Sequence, residues 1–378
     1  MPTGVDPGRR RALKLLGSLP LVAMAGACAR QAGAWPAWRD LVSSCLSEDG
    51  RIVDHGRSDL RSTSESQSYG LFFALVANDR ARFDRILQWT QNNLAAGDLR
   101  KHLPAWLWGR DGKGRWQAID TNPASDADLW LAYALLEAAR LWRRHELQAL
   151  GTSVLAQARA REVANLAGLG AMLLPGPQGF VDGGTVRLNP SYLPLPLLRR
   201  FAGVDPGGPW AALAGHFLRV LQAASPLGFA PDWVAWRDGG VAVDPETGAV
   251  GSYDAIRCYL WAGMLSPRDP AHARQLQYLS GPLQRLRGGQ PMWETVDTRT
   301  GQGHGVAGTG FEAALLPYLQ AQGEATLAAR MQAARLAAEK RSGAAPGYYA
   351  QVLGLFGAGW YEGRYRFGVD GALHPSWA

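Results

Sequence analysis

Three acidic residues stand where a segment rich in serine or glycine leads into an apolar segment with helical spacing. They are Glu65, Asp126 and Asp254. Carboxyl groups that converge on one cleft can act as general acid and general base, and hydrolysis of a glycosidic bond uses such a pair. If the starts of these three helices meet in the fold, the pattern indicates acid–base hydrolysis of a carbohydrate.

Each acid also has a purely structural interpretation. The helix dipole stabilises an anionic side chain in the first turn, which accounts for Asp126 and Asp254. Ser62 and Glu65 have the spacing of a capping box, and Ser125 is a typical N-cap residue. Taken singly, these interpretations are favoured. Taken together, with tyrosines and an arginine interleaved, the three acids favour a carbohydrate-cleaving site.

The elements that must position these acids are helices. Strand-like segments are few, which excludes a doubly wound sheet and fits stacked helical hairpins, either in a ring or in an open solenoid. In a ring, the inner helices run parallel and their N-termini share one face. Residues 170–190 and 228–250 are rich in Gly and Pro, and we interpret them as functional loops or a small hairpin. The predicted helices are 35–47, 66–78, 80–95, 124–143, 147–163, 191–203, 208–223, 252–265, 270–287, 308–321, 324–341 and 346–358.

The first 34 residues have the features of an export signal. Basic residues 9–14 precede an apolar segment, residues 15–27, that ends in small residues and is too short to span a bilayer. The paired arginines resemble a twin-arginine signal, and the residues before Cys28 loosely resemble a lipoprotein box. The sequence therefore predicts a periplasmic or secreted protein with residues 35–378 as one domain. There, Cys45 and Cys258 can form at most one disulfide, and the sequence does not show whether they meet.

Charge and composition argue against several other classes of protein. The net charge is +7, but five basic residues and one acidic residue lie before residue 35, so the rest carries +3. No basic cluster follows one predicted helix, and we expect no nucleic-acid partner. The seven histidines are scattered, and we expect neither a metal nor a cofactor. Residues 303–308 match G-x-G-x-x-G, but no buried strand leads into them, which favours a simple glycine-rich loop.

Residues 124–142 are similar to the signature of glycoside hydrolase family 8. That signature reads Ala, Ser or Thr, Asp, Ala or Gly, Asp, and then an apolar helix that ends in an aromatic residue; Leu131 departs from it, where Ile or Met is usual. The resemblance runs from Trp35 to near the C-terminus, and it implies an all-α fold, the (α/α)6 barrel of helical hairpins. Other segments look like the periplasmic endoglucanases that accompany bacterial cellulose synthases: 64–70, 103–109, 189–194, 231–234 and 252–257.

The family also implies an inverting mechanism with defined roles. Glu65 corresponds to the proton donor, Asp254 to the general base, and Asp126 to the residue that binds the distorted sugar at the cleavage subsite. The acid and base carboxyls of an inverting enzyme lie roughly 6.5–9.5 Å apart. We expect Asp126 to raise the pKa of Glu65, and Arg257, one turn after Asp254, to keep the base ionised.

Four residues are candidates for substrate binding. Tyr192 and Tyr253 can hydrogen-bond the reacting sugar, Trp106 can stack on a sugar ring, and Arg257 lies beside the base. For the other tryptophans of these motifs we expect core packing: Trp108, Trp130 and Trp142.

The resulting prediction is an endo-β-1,4-glucanase that acts on a cellulose chain, with the cellulose secretion complex as a candidate partner. Two alternatives stay open. The first is a related chitosanase or xylanase, because members of the family cleave those polymers. The second is a glycan-binding scaffold of the secretion machinery, against which the retention of all three acids argues.

Overall fold

The computed structural model describes residues 35–378, and the predicted export segment with Cys28 lies outside them. Helices dominate the part described. The α-helices are α1 (Pro36–Cys45), α2 (Ser64–Val76), α3 (Arg80–Leu94), α4 (Ser125–Trp142), α5 (His145–Glu162), α6 (Leu195–Val204), α7 (Trp210–Ala224), α8 (Ala255–Met264), α9 (His272–Tyr278), α10 (Gly281–Arg287), α11 (Thr309–Ala321), α12 (Ala325–Ser342) and α13 (Tyr348–Tyr361).

Six of these helices form an inner ring. Helices α2, α4, α6, α8, α11 and α13 contact one another in that order. The ring closes where Phe356 of α13 packs on Phe72 and Phe73 of α2, with ring centroids 5.5 and 4.6 Å apart. Outer helices α3, α5, α7, α9 and α12 each pack on the inner helix that precedes them, and α1 packs on α13. This arrangement is an (α/α)6 barrel, so the predicted fold class is confirmed.

Burial distinguishes the inner helices from the outer ones. In α2 every residue except Glu65 is buried, and in α4 only Arg140 and Leu141 are not. The outer helix α3, by contrast, buries five of its fifteen residues along one face. A helix that is apolar all round must lie inside, whereas an amphipathic helix covers it from outside. Glu65, the one residue of α2 that is not fully buried, lies at the N-terminal end of the helix.

Glycines allow the inner helices to approach closely. A Cβ atom on Gly263 of α8 would collide with the backbone of α11 at Pro317 and Tyr318. A Cβ atom on Gly357 of α13 would collide with the carbonyl group of Ala313, also in α11. The three neighbouring helices therefore pack backbone against backbone at these positions.

The strands are more numerous than the sequence suggested. They form small antiparallel sheets at the helix ends, in the orders β1-β2-β3, β4-β5, β6-β7-β8-β9, β10-β11-β12 and β13-β14. Their bounds are β1 (Ser62–Thr63), β2 (Leu107–Arg110), β3 (Trp116–Asp120), β4 (Val163–Leu166), β5 (Gly170–Leu173), β6 (Val181–Asp182), β7 (Thr185–Leu188), β8 (Val234–Arg237), β9 (Gly240–Val243), β10 (Val250–Gly251), β11 (Thr295–Asp297), β12 (Gly303–His304), β13 (Tyr365–Phe367) and β14 (Leu373–Pro375).

The two segments interpreted as loops or a small hairpin contain all four strands of the four-stranded sheet. Asp238 and Gly239, both at positive φ, connect β8 to β9, and Gly183 and Gly184 connect β6 to β7 in the same way. Two-residue hairpin turns need this backbone conformation, and Asp-Gly is a common sequence for them. The hairpin turns were therefore visible in the sequence. The strands on either side of each turn were harder to predict, because they are only two to four residues long.

Two predicted helices are interrupted. The segment 270–287 forms α9 and α10, which are separated at Leu279 and Ser280, because Pro282 starts a new first turn. The segment 191–203 begins as a 3-10 turn at Pro190–Tyr192, and Pro194 stands at the N-cap of α6. Proline lacks the amide proton that would continue the preceding turn.

Both cysteines of residues 35–378 are buried, and so are two of the three tryptophans for which core packing is expected. Cys45 and Cys258 are both buried and unbonded, so the disulfide that the sequence left open is not formed. Trp130 and Trp142 are buried. Trp108 is only partly buried, and its ring meets that of Trp89 edge to face. Within residues 35–378, no helix combines the length and the apolar character that crossing a membrane would require.

Candidate active site

The N-terminal ends of four inner helices, α2, α4, α8 and α13, open into one cleft of about 560 Å³. Glu65 is the second residue of α2, Asp126 is the second residue of α4, and Asp254 immediately precedes α8. The parallel orientation of the inner helices thus brings the three acids together. All seven residues selected from the sequence line this cleft: Glu65, Trp106, Asp126, Tyr192, Tyr253, Asp254 and Arg257.

Arg257 lies among the three acids and is itself almost completely buried. Its guanidinium nitrogens lie 2.8 Å from Oδ1 of Asp254, 3.5 Å from Oε2 of Glu65 and 3.8 Å from Oδ2 of Asp126. Arg257 also donates a hydrogen bond of 2.8 Å to Oγ of Ser191. One cation therefore faces three carboxyl groups, and three anions so close together would repel one another strongly.

The carboxyl groups of Glu65 and Asp126 lie close enough together for each to shift the pKa of the other. Burial raises the pKa of Glu65, Arg257 opposes the rise, and Asp254 adds to it. Burial and then Glu65 raise the pKa of Asp126 well above its ordinary value. Because ionising both acids would leave two neighbouring anions in a buried site, the pair retains a proton. Burial is thus the main cause of the raised pKa of Glu65. The expectation that Asp126 raises this pKa is wrong, because the contribution of Asp126 lowers it.

The helix starts do not use the acids as caps. Thr63 and Ser66 form the capping box of α2, so the proposed box of Ser62 and Glu65 is wrong. Helix α4 has Ala124 at its N-cap, and the hydroxyl of Ser125, the predicted cap, is buried without a hydrogen-bond partner. Apart from Oδ1 of Asp126, which accepts from the amide of Ala127, the carboxyl oxygens of the cleft acids bind no backbone amide of their own helix start.

The carboxylate of Asp254 is held from two sides. Arg257 donates to its Oδ1 at 2.8 Å, and Nδ2 of Asn189 donates to its Oδ2 at 3.0 Å. Asn189 is fixed in turn, because its Oδ1 accepts hydrogen bonds from the amide and the hydroxyl of Ser191. A carboxylate oriented in this way is suited to accept a proton from water, the role of a general base. Asn189 was part of a quoted motif, but its contact with Asp254 was not predicted.

The aromatic side chains line the cleft in different ways. The ring of Tyr192 lies below the guanidinium of Arg257, 5.8 Å from ring centroid to Cζ. Tyr253 is half exposed, and its hydroxyl donates to Oε1 of Glu294 at 2.5 Å. Trp106 is partly buried, and its backbone carbonyl accepts from the amide of Ser64, which ties it to the start of α2. These side chains surround the acids with surfaces that can hold a sugar ring.

Two tyrosines of the cleft were missed by sequence analysis. Tyr348 and Tyr349 begin α13, the last inner helix, and both line the cavity. The hydroxyl of Tyr349 donates to the carbonyl of Tyr253 at 2.6 Å and accepts from Arg257 at 3.2 Å. The rule that selected the acids, a polar residue where a loop enters an apolar helix, would have found this pair if applied to tyrosine. Three charged residues at the same cleft were missed as well: Asp54, Arg57 and Arg61.

The glycine-rich motif lies in a different context from that of a nucleotide site. Gly303 and His304 form β12, which pairs antiparallel with β11, and α11 begins at Thr309. A dinucleotide fingerprint needs a parallel βαβ unit, which this segment does not form. Among the described residues, no group of three or more His, Cys, Asp or Glu side chains is arranged to hold a metal ion.

Comparison with known proteins agrees with this site. The family model for glycosyl hydrolases family 8 matches residues 13–363. The chain is 53% identical over 358 residues to an endoglucanase of Xanthomonas axonopodis pv. citri (strain 306), covering 94% of this chain and 93% of the relative. It is 42% identical over 364 residues to an endoglucanase of Escherichia coli (strain K12), covering 96% of each.

A solved structure gives the same result for the fold. The crystal structure of endo-1,4-D-glucanase from Vibrio fischeri ES114 superposes with a TM-score of 0.87 at 43% sequence identity, covering 91% of this chain and 99% of that one. With the family model matching most of the chain, and with acids and an arginine meeting at the helix starts, the protein belongs to glycosyl hydrolases family 8 and is a glycoside hydrolase.

Proposed function

We propose that this protein is an endo-β-1,4-glucanase that cleaves cellulose-like chains with inversion of the anomeric centre. The observation that carries the proposal is the arrangement of three carboxyl groups around one guanidinium, that of Arg257, in a cleft at the starts of the inner helices. The endoglucanase names of its relatives support the same substrate class. The proposed catalytic residues are Glu65, Asp126 and Asp254.

Glu65 is the proposed proton donor. Burial keeps its pKa raised, so its carboxyl retains a proton that it can give to the glycosidic oxygen as the bond to C1 breaks. Asp254 is the proposed base, and it takes a proton from the water whose oxygen forms the new bond to C1 on the opposite face. One proton enters the leaving group and one leaves the water, so the two acids exchange their protonation states during one turnover.

Asp126 is the proposed ligand of the sugar at the cleavage subsite. Its Oδ1 accepts from the amide of Ala127 at 2.8 Å, whereas its buried Oδ2 has no hydrogen-bond partner. A sugar hydroxyl in the cleft would supply that partner. Tyr192 and Tyr253 are proposed to bind the same sugar, and Trp106 is proposed as a stacking platform for a neighbouring one.

The biological setting is part of the proposal and depends on the sequence resemblance. A protein with the export signal of residues 1–34 would work in the periplasm or outside the cell. There it would cut cellulose chains during their synthesis, with the cellulose secretion complex as its partner. The test is to fuse residues 1–34 to a reporter that is active only after export; retention of the reporter in the cytoplasm would contradict this setting.

The decisive experiment for the reaction is proton NMR of the first product formed from cellohexaose. Inversion predicts that the α anomer appears first and that the β anomer grows only by mutarotation. A β anomer formed first would contradict inversion. Parallel assays on carboxymethyl cellulose, chitosan and xylan decide the substrate, and a preference for either of the last two would replace the glucanase proposal.

A further inference from the structure

Asp232, in the loop before β8, accepts four hydrogen bonds around the start of helix α8. Its Oδ1 accepts from the amides of Ser252, Asp254 and Ala255 at 2.8, 3.1 and 2.7 Å. Its Oδ2 accepts from the hydroxyl of Ser252 at 2.5 Å. This aspartate therefore binds the backbone of the proposed base directly, although the two residues are 22 positions apart in the sequence.

These bonds complete the hydrogen bonding of the first turn of α8. A helix start leaves its first backbone amides without partners within the helix, and an aspartate at the N-cap usually satisfies one with its own side chain. Asp254 occupies the N-cap of α8 but makes no such bond. Asp232 binds the amides of Asp254 and Ala255, while Ile256 and Arg257 donate to the carbonyls of Ser252 and Asp254.

The carboxylate of Asp254 is consequently free to face the cleft. It receives hydrogen bonds from Arg257 and Asn189 and no bond from its own helix start. If the amides at the start of α8 lacked the carboxylate of Asp232, the side chain of Asp254, which belongs to the same turn, could accept from them instead. That rotation would remove the base from the position in which it can contact water.

We propose that Asp232 is the positioning residue of the general base, a proposal that rests on the proposed function. Asp232 caps α8 in place of Asp254 and so holds the Asp254 carboxylate towards the substrate. Burial and the neighbouring Asp254 raise the pKa of Asp232, and the donors from Ser252 and Ala255 oppose that rise. The hydrogen bonds thus offset much of the cost of burying this carboxyl group beside a second one.

The test compares Asp232→Ala with Asp232→Asn. The alanine variant is expected to lose about 100-fold in kcat with KM changed less than about twofold, because misplacing a catalytic group by about 1 Å has that effect. The asparagine variant keeps an oxygen that can accept the amide bonds, and it is expected to lose less than about tenfold. Equal losses in the two variants, or a KM effect alone, would overturn the proposal.

A matched control separates positioning from general destabilisation. Asp269 lies between α8 and α9 and is also buried. It accepts a hydrogen bond of 2.8 Å from the amide of Ala271 and forms an ion pair with Arg199 of α6. Asp269→Ala is expected to lower the melting temperature at least as much as Asp232→Ala while keeping kcat within about twofold of wild type. If Asp269→Ala loses kcat to the same extent, a positioning role is refuted.

A substrate with a good leaving group shows whether a variant impairs protonation of the leaving oxygen or the attack by water. A dinitrophenyl cellotrioside needs no protonation of its leaving oxygen, so Glu65→Gln should recover activity on it. Asp232→Ala should not, because the attack by water still requires the base. Recovery of Asp232→Ala on this substrate would place its effect on the acid and overturn the proposal.

A crystal structure of Asp232→Ala gives a readout that needs no activity. The Asp254 carboxylate is expected to turn from Arg257 and Asn189 towards the amides of α8. If it keeps both bonds, the positioning role is wrong, whatever the substrate. An inactive wild-type enzyme on every β-1,4-glucan would instead contradict the proposed function, and the crystal structure would still decide the role of Asp232.

Discussion

Each end of helix α4 carries a buried acid, and the two ends differ in the number of arginines available to each acid. At the N-terminal end, Asp126 shares one guanidinium with Glu65 and Asp254. At the C-terminal end, the fully buried Glu137 has two arginines to itself: Arg140 donates to it at 3.0 Å and Arg200 at 2.5 Å. The amide of Leu373 is a third donor to Glu137, at 2.7 Å.

This difference separates the proposed catalytic site from a structural one. An acid with a surplus of cations and donors is fully compensated, and Glu137 thereby ties α4 to α6 and to β14. Acids that outnumber the cation retain a proton, which is available for transfer. The same helix therefore supplies both kinds of site, and the partners brought by other elements decide which is which.

A third arrangement lies near the start of α4, where Asp128 contacts Glu162 of α5. The four carboxyl oxygens of this pair are buried, and none of them has a hydrogen-bond partner. Burial raises the pKa of Asp128 to about 8, with Arg161 opposing the rise, so the two acids hold a proton between them. Like the cleft acids, this pair is short of positive charge, but it does not line the cleft.

The largest expected effect is that of Glu65→Gln at the cation-poor end. Loss of the proton donor should lower kcat on cellohexaose by about 10²–10⁴-fold, because Gln cannot transfer a proton. The melting temperature should stay near that of wild type, since the side chain partly faces the cleft. Reducing-sugar assays and thermal unfolding measure the two quantities. Full hydrolytic activity in this variant would show that Glu65 is not the acid.

Glu137→Gln is the reciprocal change at the cation-rich end. Removing this carboxylate leaves two arginines without their buried partner, and we expect the free energy of unfolding to fall by about 3 kcal/mol. At temperatures where the variant is folded, kcat should equal that of wild type. Urea unfolding and steady-state kinetics test this. A loss of kcat without a loss of stability would remove the distinction between the two ends.

Asp126→Asn tests whether the cleft acids share a proton. In the wild type, loss of the last proton of the Glu65–Asp126 pair creates two adjacent anions, which raises the upper pKa of the pair. In the variant Glu65 is the one acid of the pair that remains, and the alkaline limb of kcat/KM should move to lower pH by about one unit or more. The pH–rate profile measures this shift, and an unchanged alkaline limb would reject proton sharing.

Asp128→Asn should give the smallest effect on catalysis, because it should alter only the pH dependence of stability. Because the pKa of Asp128 is raised to about 8 in the folded state, the folded protein binds more protons than the unfolded chain, and wild-type stability falls as pH rises from about 4 to above 8. The variant lacks this titration. Relative to wild type, its unfolding free energy should therefore rise by about 1 kcal/mol per pH unit between pH 5 and pH 8. Urea unfolding at both pH values checks the sign, and a constant difference would contradict it.

Much of the helical framework could be predicted because it depends on local patterns. Apolar spacing and proline or glycine boundaries located the inner helices to within a few residues, although one segment proved to be the two helices α9 and α10. The sheets were underestimated, because their pairs join distant segments such as β7 and β8 through strands of four residues. Such short strands carry little periodicity.

The site was partly predictable for the same reason. Glu65, Asp126 and Asp254 are visible in the sequence because each interrupts an apolar pattern at a helix start. The contacts of Asn189 and Asp232 with Asp254 were not, since they link loops 65 and 22 positions away from it. The interpretation of Glu65 as a cap was excluded only when Thr63 and Ser66 proved to form the box.

The sequence by itself determined the types of residue, the helices that carry them and the family to which they belong, because these follow from local spacing and from motifs. The tertiary structure decided the charge environment of each acid. Asp126 and Glu137 belong to one helix, and only the folding of α8, α6 and the C-terminal strand around it gives the first a shared cation and the second two of its own. Charge compensation acts over a few ångströms in space, and residues far apart in the chain supply it.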